Sequence, residues 1–243
     1  MNLQINPIAF ESLGTRSMAT YINTPDIKIL IDPGVALGRR YGKIPHPKEY
    51  VRLRKKREEI YRLATRTDII IITHYHFDHY TPLGMTDYLW TWTNPEKTPE
   101  IYEGKTIIMK DYRTNINISQ RRRGWILYKS LQKINCKMIV GDERNFQYGN
   151  TKISISRPVP HGEKGTALGY VLMVEIEDGE EKVLYASDVQ GPIVEETAEE
   201  IIRRGPDTLI IGGPPTYLPM IRPESIEKAF ENISKLAKKI PQI

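Results

Sequence analysis

The sequence predicts an α/β protein in which short buried strands alternate with amphipathic helices. Four consecutive isoleucines, Ile69 to Ile72, form a β-branched run that is typical of a strand buried on both faces. Residues 51–64 carry apolar and basic side chains at helical spacing, and residues 222–239 predict another amphipathic helix. Further strands are predicted at residues 3–9, 18–23, 27–31, 105–110, 137–140, 151–156, 168–176, 182–185 and 207–211, and further helices at 81–90 and 119–134.

The composition is that of a globular protein. The 243 residues suffice for one large domain over residues 1–243, and 40% hydrophobic with 27% charged residues is ordinary for such a domain. No apolar run approaches the ~20 residues of a membrane span, and no signal peptide is visible from Met1 to Phe10. The single cysteine, Cys136, excludes an internal disulfide. We therefore expect a cytoplasmic protein without a membrane partner; its oligomeric state is not specified by the sequence.

The residues that can carry chemistry are concentrated where the isoleucine strand ends. Residues 74–79 read His-Tyr-His-Phe-Asp-His, so three of the five histidines fall within six positions. Loops at strand ends commonly carry binding and catalytic groups, and imidazole with carboxylate is a ligand set that zinc or iron accepts. His74 and His76 lie two apart, so both rings can lean towards one ion, while Asp78 and His79 can turn to a second. This density predicts a metal site rather than an incidental polar loop.

The pattern His-x-His-x-Asp-His after a hydrophobic strand resembles the signature of the metallo-β-lactamase superfamily. Within it, the chain looks most like the predicted metal-dependent hydrolases. The resemblance extends over nearly the whole chain and implies an αββα sandwich of two mixed β-sheets flanked by helices. It also implies that the metal ions lie at one edge, between the sheets.

The resemblance implies two metal ions, with zinc as the first choice and iron or manganese as alternatives. The implied ligands are His74, His76 and His161 for the first ion, Asp78 and His79 for the second, and Asp188 as the bridge. Asp188 could instead cap the helix that follows it, but the resemblance favours the metal. Asp32, which an Asp-Pro-Gly sequence otherwise marks as a turn residue, would support the metal-binding loop from behind without being a ligand.

One element of the superfamily pattern is absent from this sequence. The pattern continues with a further strand and a histidine that completes the second metal site, whereas no histidine follows His161. Residues 239–243 look like the start of that strand. We therefore expect the chain to lack its C-terminal strand and last metal histidine, with completion of the site by water or a partner as the alternative.

The basic residues are unevenly distributed around the metal loop. The net charge is +5, and residues 36–66 carry eleven Lys or Arg against three acidic residues, while 104–137 carry nine against one. We interpret residues 35–66 as a basic insertion within the domain. Such runs usually form solvated helix faces, but beside an active-site loop they also favour an anionic substrate, with nucleic acid as one candidate. His46, between two prolines, is interpreted as a surface histidine, with a substrate contact as the alternative.

The activity that the resemblance implies is hydrolysis by a metal-bound hydroxide, because a metal ion lowers the pKa of bound water to about 7. Asp78 would additionally orient this nucleophile. The basic segments favour a phosphodiester or nucleic acid as the substrate. A small-molecule ester or lactone hydrolase is the alternative enzyme, and a nucleic-acid-binding protein with a vestigial metal site is the alternative of a different class. The sequence specifies neither the substrate nor the metal.

Overall fold

The structure, a computed structural model, describes residues 3–217 and 221–243. The chain divides into two compact units. The N-terminal unit consists of Leu3–Thr114 and Ile118–Gly141, and the C-terminal unit of Asn115–Asn117 and Asp142–Ile243. The expectation of a single domain stays a prediction.

The N-terminal unit is built on a six-stranded mixed sheet with the strands in chain order. Its strands are β1 (Gln4–Phe10), β2 (Met18–Asn23), β3 (Lys28–Ile31), β4 (Ile69–Ile72), β5 (Thr106–Met109) and β6 (Lys137–Val140), and its helices are α1 (Pro47–Ala64), α2 (Pro99–Tyr102) and α3 (Ile118–Leu131). β1 to β3 are antiparallel, and β3 to β6 run parallel. The isoleucine strand β4 is buried along its whole length, as predicted, because it lies between two parallel neighbours.

The C-terminal unit contains a five-stranded sheet in the order β13-β12-β11-β8-β7 and a two-stranded sheet of β9 and β10. These elements are β7 (Asn145–Tyr148), β8 (Thr151–Ile155), β9 (Val159–Pro160), β10 (Tyr170–Val171), β11 (Val174–Glu177), β12 (Lys182–Ser187) and β13 (Thr208–Ile211), with α4 (Glu195–Arg204) and α5 (Pro223–Ala237). In the larger sheet β12 and β13 pair in parallel, whereas β7, β8, β11 and β12 pair antiparallel. The predicted ligands His161 and Asp188 directly follow β9 and β12.

Helix α1 begins four residues before its predicted start. Pro47 occupies the first helical turn, and His46 is the N-cap: its Nδ1 accepts the backbone N–H of Lys48 over 3.2 Å. Glu49 completes a capping box by accepting the backbone N–H of His46. His46 is exposed and thus has a structural role that its position between two prolines did not reveal. Among the described helices, none combines the length and apolar character that crossing a membrane requires.

The prediction of a helix at residues 81–90 is wrong, because turns occupy this segment. The carboxylate of Asp87 accepts the backbone N–H groups of Leu89 and Trp90 over 2.9 and 3.0 Å. Such local hydrogen bonds satisfy the backbone without a helix. The short helix α2 follows at Pro99–Tyr102, outside the helices that the sequence predicted.

The final residues pair with the edge of the larger C-terminal sheet. Gln242 makes one parallel bridge to Thr208, and its carbonyl accepts the N–H of Leu209 over 2.9 Å. This pairing occurs where the sequence predicted the entry to a further strand.

Candidate metal centre

Strand β4 delivers the histidine motif to the edge of the N-terminal sheet. His74 and His79 are buried, whereas His76 and Asp78 are partly exposed. A turn closes the loop, with the backbone N–H of His79 donating to the carbonyl of His76 over 2.9 Å. The ring centroid of His74 lies 4.9 Å from that of His76 and 4.0 Å from that of His79. Three predicted ligands are therefore gathered within this unit.

Asp32, which the resemblance implies as a support of the loop, contacts both Thr73 and His79. Its carboxylate accepts the backbone N–H of Thr73 over 2.8 Å and the Thr73 hydroxyl over 2.6 Å. Its Oδ2 also lies 2.8 Å from Nδ1 of His79. The contacts arise because β3 and β4 are parallel neighbours and end at the same edge of the sheet. A carboxylate on one ring nitrogen fixes the orientation of the imidazole and presents the other nitrogen, here Nε2 of His79, to a metal ion.

Thr73 extends this support to His74, a role that the sequence analysis missed. Its hydroxyl oxygen lies 3.1 Å from Nδ1 of His74. Because the single hydroxyl proton is donated to Asp32, the oxygen accepts from His74, which then carries its proton on Nδ1. Nε2 is accordingly the nitrogen through which His74 would bind a metal ion. The available signal was the position of a hydroxyl residue between the strand and the first histidine.

The turn after β3 lies directly against the backbone of the metal loop. Asp32 adopts a left-handed conformation with φ of 49°, which is unusual for a residue with a side chain. A Cβ on Gly34 would lie 2.3 Å from the backbone N of Tyr80 and 2.5 Å from the N and C atoms of His79. Only glycine permits this approach, so Gly34 is required for the position of Asp32 behind the loop.

Arg57 corrects the expectation that the basic residues of the 35–66 segment are solvated. It is fully buried, and its guanidinium donates to the carbonyls of Thr91 and Val35, each over 3.0 Å. It also donates to the hydroxyl of Thr81 and lies 3.5 Å from the carbonyl of Pro33. Burial lowers the pKa of Arg57 to about 10, so it remains protonated at neutral pH. Arg57 therefore ties α1 to the segments that follow β3 and the metal loop.

Helix α3 supports the other side of the loop through Gln120. This fully buried side chain accepts the backbone N–H of Tyr75 over 2.9 Å, and its Nε2 lies 3.3 Å from Nε2 of His76. Since the amide nitrogen can only donate, the ring nitrogen of His76 accepts. The contact helps to fix the orientation of the His76 ring.

Arg123, one of three consecutive arginines, also serves the loop. Its guanidinium donates to the carbonyl of Tyr75 over 3.1 Å and lies 4.8 Å from the ring centroid of Phe77. The next residue, Gly124, allows a close approach, because a Cβ there would lie 2.6 Å from Cε2 of Tyr75. Arg123 thus has a structural role. This again differs from the expectation that the basic residues form solvated helix faces.

Asp78, the predicted catalytic residue, occupies the corner of the turn in charged surroundings. Burial raises the pKa of Glu11, and the negative charge of Asp78 raises it further. The positive charges of Arg40 and Arg16 act in the opposite direction and lower it. Glu11 forms ion pairs with Arg40 and, over 3.8 Å, with Arg16. A second carboxylate therefore lies within the electrostatic reach of Asp78. No motif in the sequence marked Glu11.

In the C-terminal unit, His161 and Asp188 lie together. His161 Nε2 is 3.1 Å from Asp188 Oδ2; the histidine side chain is 2% exposed and the aspartate 25%. Asp188 follows Ser187, which ends β12 in a left-handed conformation with φ of 60°. The alternative role of Asp188 as a helix cap is not observed, because α4 begins at Glu195 with Val194 as its N-cap.

Glu163 holds the loop that follows His161. Its carboxylate accepts hydrogen bonds from the hydroxyl of Ser225 and, over 2.7 Å, from the guanidinium of Arg222. These two donors lower the pKa of Glu163. They lie at the start of α5, so this helix positions the His161 loop.

The donor atoms fit a divalent metal ion. In the N-terminal unit, ligand atoms of the predicted ligands His74 and His79 lie within 4.8 Å of each other, and both residues are buried. The C-terminal unit contains its own imidazole–carboxylate pair, His161 and Asp188. Imidazole and carboxylate suit zinc, iron and manganese alike, so this chemistry supports metal binding without selecting the ion.

The sequence of this chain matches that of a described family. Residues 28–217 match the beta-lactamase superfamily domain. A UPF0282 protein of Methanopyrus kandleri is 42% identical over 244 residues, which cover 99% of this chain and 83% of the relative. A UPF0282 protein of Thermococcus gammatolerans is 43% identical over 235 residues, which cover 96% and 77%. The chain therefore belongs to the beta-lactamase superfamily and, within it, to the UPF0282 family.

Solved structures share the fold at low sequence identity. A possible metal-dependent hydrolase from Veillonella parvula matches with a TM-score of 0.55 and 13% identity, over 99% of this chain and 81% of the other. Unliganded yeast PDE1 matches with a TM-score of 0.52 and 12% identity, over 99% and 96%. At such identities the likeness concerns the fold alone. Together with the family match, it confirms the predicted metallo-β-lactamase-like α/β fold class.

Proposed function

We propose that this protein is a metal-dependent hydrolase that cleaves a phosphodiester. The observation that carries the proposal is the buried network in which Asp32 and Thr73 orient His74 and His79. Such carboxylate and hydroxyl support is typical of histidines that bind a metal, because it fixes the tautomer and the ring orientation.

The proposed ligands are those that the superfamily resemblance implies. They are His74, His76, Asp78, His79, His161 and Asp188, with zinc as the proposed ion. A bound ion would lower the pKa of its water to about 7 and so supply hydroxide at neutral pH. The chain itself holds the imidazoles through Asp32, Thr73 and Gln120. Asp78, at the exposed corner of the turn, is proposed to accept a hydrogen bond from the attacking water and to orient it.

The proposal of a phosphate-bearing substrate is supported by the basic residues that are exposed and have no structural contacts described above. Arg57 and Arg123 hold the fold, whereas Arg121 and Arg122 of α3 are exposed. These guanidinium groups lie on the helix that contacts the metal loop through Gln120. Arginine binds phosphate through paired N–H donors, so the charge next to the loop favours an anionic ester over a neutral one.

The test compares two small substrates on zinc-loaded protein: bis(p-nitrophenyl) phosphate, a phosphodiester, and p-nitrophenyl acetate, a neutral ester. We expect hydrolysis of the diester and its loss by about 100-fold or more in His76→Ala, which removes a ligand. His46→Ala is the matched control, because it removes an exposed histidine of the same unit. Cleavage of the acetate alone would establish the ester hydrolase instead. Absence of both activities in metal-loaded protein would contradict the proposal.

A further inference from the structure

Helix α3 carries an exposed stripe that the metal centre does not use. Its buried residues, Gln120, Gly124, Leu127 and Leu131, form the face that packs on the unit. A second set, Ile118, Arg121, Arg122 and Trp125, follows the spacing i, i+3, i+4, i+7 and therefore shares another face of the helix. Ile118 is 85% exposed and Trp125 50%. This face is therefore distinct from the buried face of α3.

This stripe lines a cavity of 480 Å³ within the N-terminal unit. The lining residues are Tyr112, Arg113, Ile118, Arg121, Arg122 and Trp125. The volume falls in the range of about 300–1,000 Å³ that is usual for ligand pockets. The cavity thus combines two aromatic rings with three guanidinium groups.

The charge of the cavity selects an anionic ligand. Arg113 is neutralised by Asp111, with Nε and Oδ1 at 2.9 Å. Arg121 and Arg122, by contrast, make no ion pair with any described residue and are exposed. Two positive charges therefore remain next to an exposed indole and a phenol ring.

We propose that this cavity binds single-stranded nucleic acid, with a base stacked on Trp125 and phosphates paired with Arg121 and Arg122. Aromatic side chains stack on any base, and arginines neutralise the backbone, which is the usual composition of a single-strand site. A duplex hides the base faces and leaves the aromatic residues without a partner. The proposal rests on the proposed phosphodiester chemistry, since it identifies the substrate class of that site.

The position of the stripe connects it to the metal loop. Gln120 and Arg123, which lie between the stripe residues in sequence, contact His76, Tyr75 and Phe77 of the loop. A helix with its side chains is about 10–12 Å across. A strand bound along the exposed face is therefore separated from the loop only by the width of α3.

The binding experiment uses a fluorescein-labelled oligothymidylate of about 12 nucleotides with phosphorothioate links, which keep the charge and resist hydrolysis. Fluorescence anisotropy on metal-loaded protein gives Kd at several salt concentrations. We expect Trp125→Ala to weaken binding by about 5- to 150-fold, the range for loss of one stacked base. Arg121→Ala with Arg122→Ala is expected to reduce the slope of log K against log salt by about 1.4, because two phosphate contacts are lost.

Two matched variants control for general effects. Phe230→Ala removes an aromatic residue that is 51% exposed on α5, and Lys55→Ala with Arg62→Ala removes two exposed cations from α1. Neither is expected to change Kd by more than about twofold. The proposal is overturned if these controls weaken binding as much as the cavity variants do. Equal affinity for duplex DNA, or tighter binding to phosphatidylserine vesicles than to the oligonucleotide, would also overturn it.

The same variants separate this proposal from the proposed function. Hydrolysis of bis(p-nitrophenyl) phosphate by the wild-type protein tests the metal centre by itself, since that substrate is too small to need the cavity. If the small diester is cleaved but the oligonucleotide binds no better to wild type than to Trp125→Ala, only the cavity assignment fails. If the oligonucleotide binds through the cavity but no diester is cleaved, only the hydrolase assignment fails.

Discussion

The two loops that carry the predicted metal ligands are held in different ways. The loop at His74 to His79 is fixed by buried groups: the carboxylate of Asp32, the amide of Gln120 and, behind them, the guanidinium of Arg57. The loop after His161 is held by Glu163, whose ion-pair partner Arg222 has a side chain that is 71% exposed. Buried hydrogen bonds are little affected by salt, whereas exposed ion pairs are screened. We infer that the first loop is preformed and that the second adjusts more easily to conditions.

The largest loss of stability is expected when Arg57, the buried cation behind the first loop, is replaced. Arg57→Leu removes a donor from several buried carbonyl and hydroxyl oxygens, each of which costs about 1–3 kcal/mol when unsatisfied. We expect the free energy of unfolding to fall by about 3–5 kcal/mol, measured by urea denaturation followed by circular dichroism. Arg62→Leu, an exposed position on the same helix, should change it by less than about 0.5 kcal/mol. Equal effects of the two substitutions would show that Arg57 is not a structural group.

A smaller loss of stability is expected from Gly34→Ala, which tests whether the turn behind the first loop positions His79. The added Cβ meets backbone atoms of His79 and Tyr80 that cannot rotate away. We expect a cost of about 1–3 kcal/mol, together with weaker metal binding in a competition titration, since His79 is displaced. Gly213→Ala is the control, because a Cβ there meets nothing within 4 Å. Unchanged metal affinity in folded Gly34→Ala would separate the turn from the metal centre.

The second loop is tested by Glu163→Gln. This change removes the charge that pairs with Arg222, and we expect a loss of about 1 kcal/mol at neutral pH and low salt. The pKa of Glu163 is lowered in the folded state, so its contribution is present above the ordinary carboxyl pKa and is lost as pH falls through the lowered value. Unfolding measured at pH 7 and in mild acid, with and without 1 M salt, should show the difference shrinking with acid and with salt. A constant difference would mean that the loop does not depend on this charge.

The smallest effect is expected outside both loops, at His46. His46→Ala removes the N-cap of α1 and should cost about 0.5 kcal/mol, the low end of the range for helix caps. Diester hydrolysis at saturating and low substrate should be unchanged. A rise in KM with stability intact would instead establish the substrate contact that the sequence left open.

The sequence predicted the parts of the molecule that follow from local pattern. The isoleucine run of β4 and the histidine spacing were sufficient for a buried strand followed by a loop whose histidine rings lie together, whereas their role as metal ligands stays a prediction. Arg57 was misjudged because its residue type outweighed its position: it lies four residues after Leu53 and three before Ile60, on the buried face of α1. The burial of Arg57 could therefore have been predicted from this spacing. The contact of Gly34 with His79 could not be predicted from the sequence, because it joins the segments that follow two neighbouring strands, β3 and β4.

Glu11 illustrates a second limit of the sequence. It comes near Asp78 only because the segment after β1 folds back towards the metal loop, and nothing in its neighbours distinguishes it from a surface glutamate. The same applies to Gln120, whose amide reaches His76 from a helix that is predicted correctly but whose orientation is set by packing. Tertiary contacts of this kind need the folded chain.

The most direct test of the metal centre is the metal content of the purified, zinc-loaded protein by elemental analysis, compared with His74→Ala and Asp32→Asn. The account predicts that wild type retains zinc through gel filtration and that folded His74→Ala retains clearly less. Asp32→Asn should bind zinc about 10- to 100-fold more weakly, because His79 loses its carboxylate partner. Circular dichroism of each variant confirms the fold. Equal zinc content in wild type and in folded His74→Ala would contradict the assignment of this loop as the metal centre.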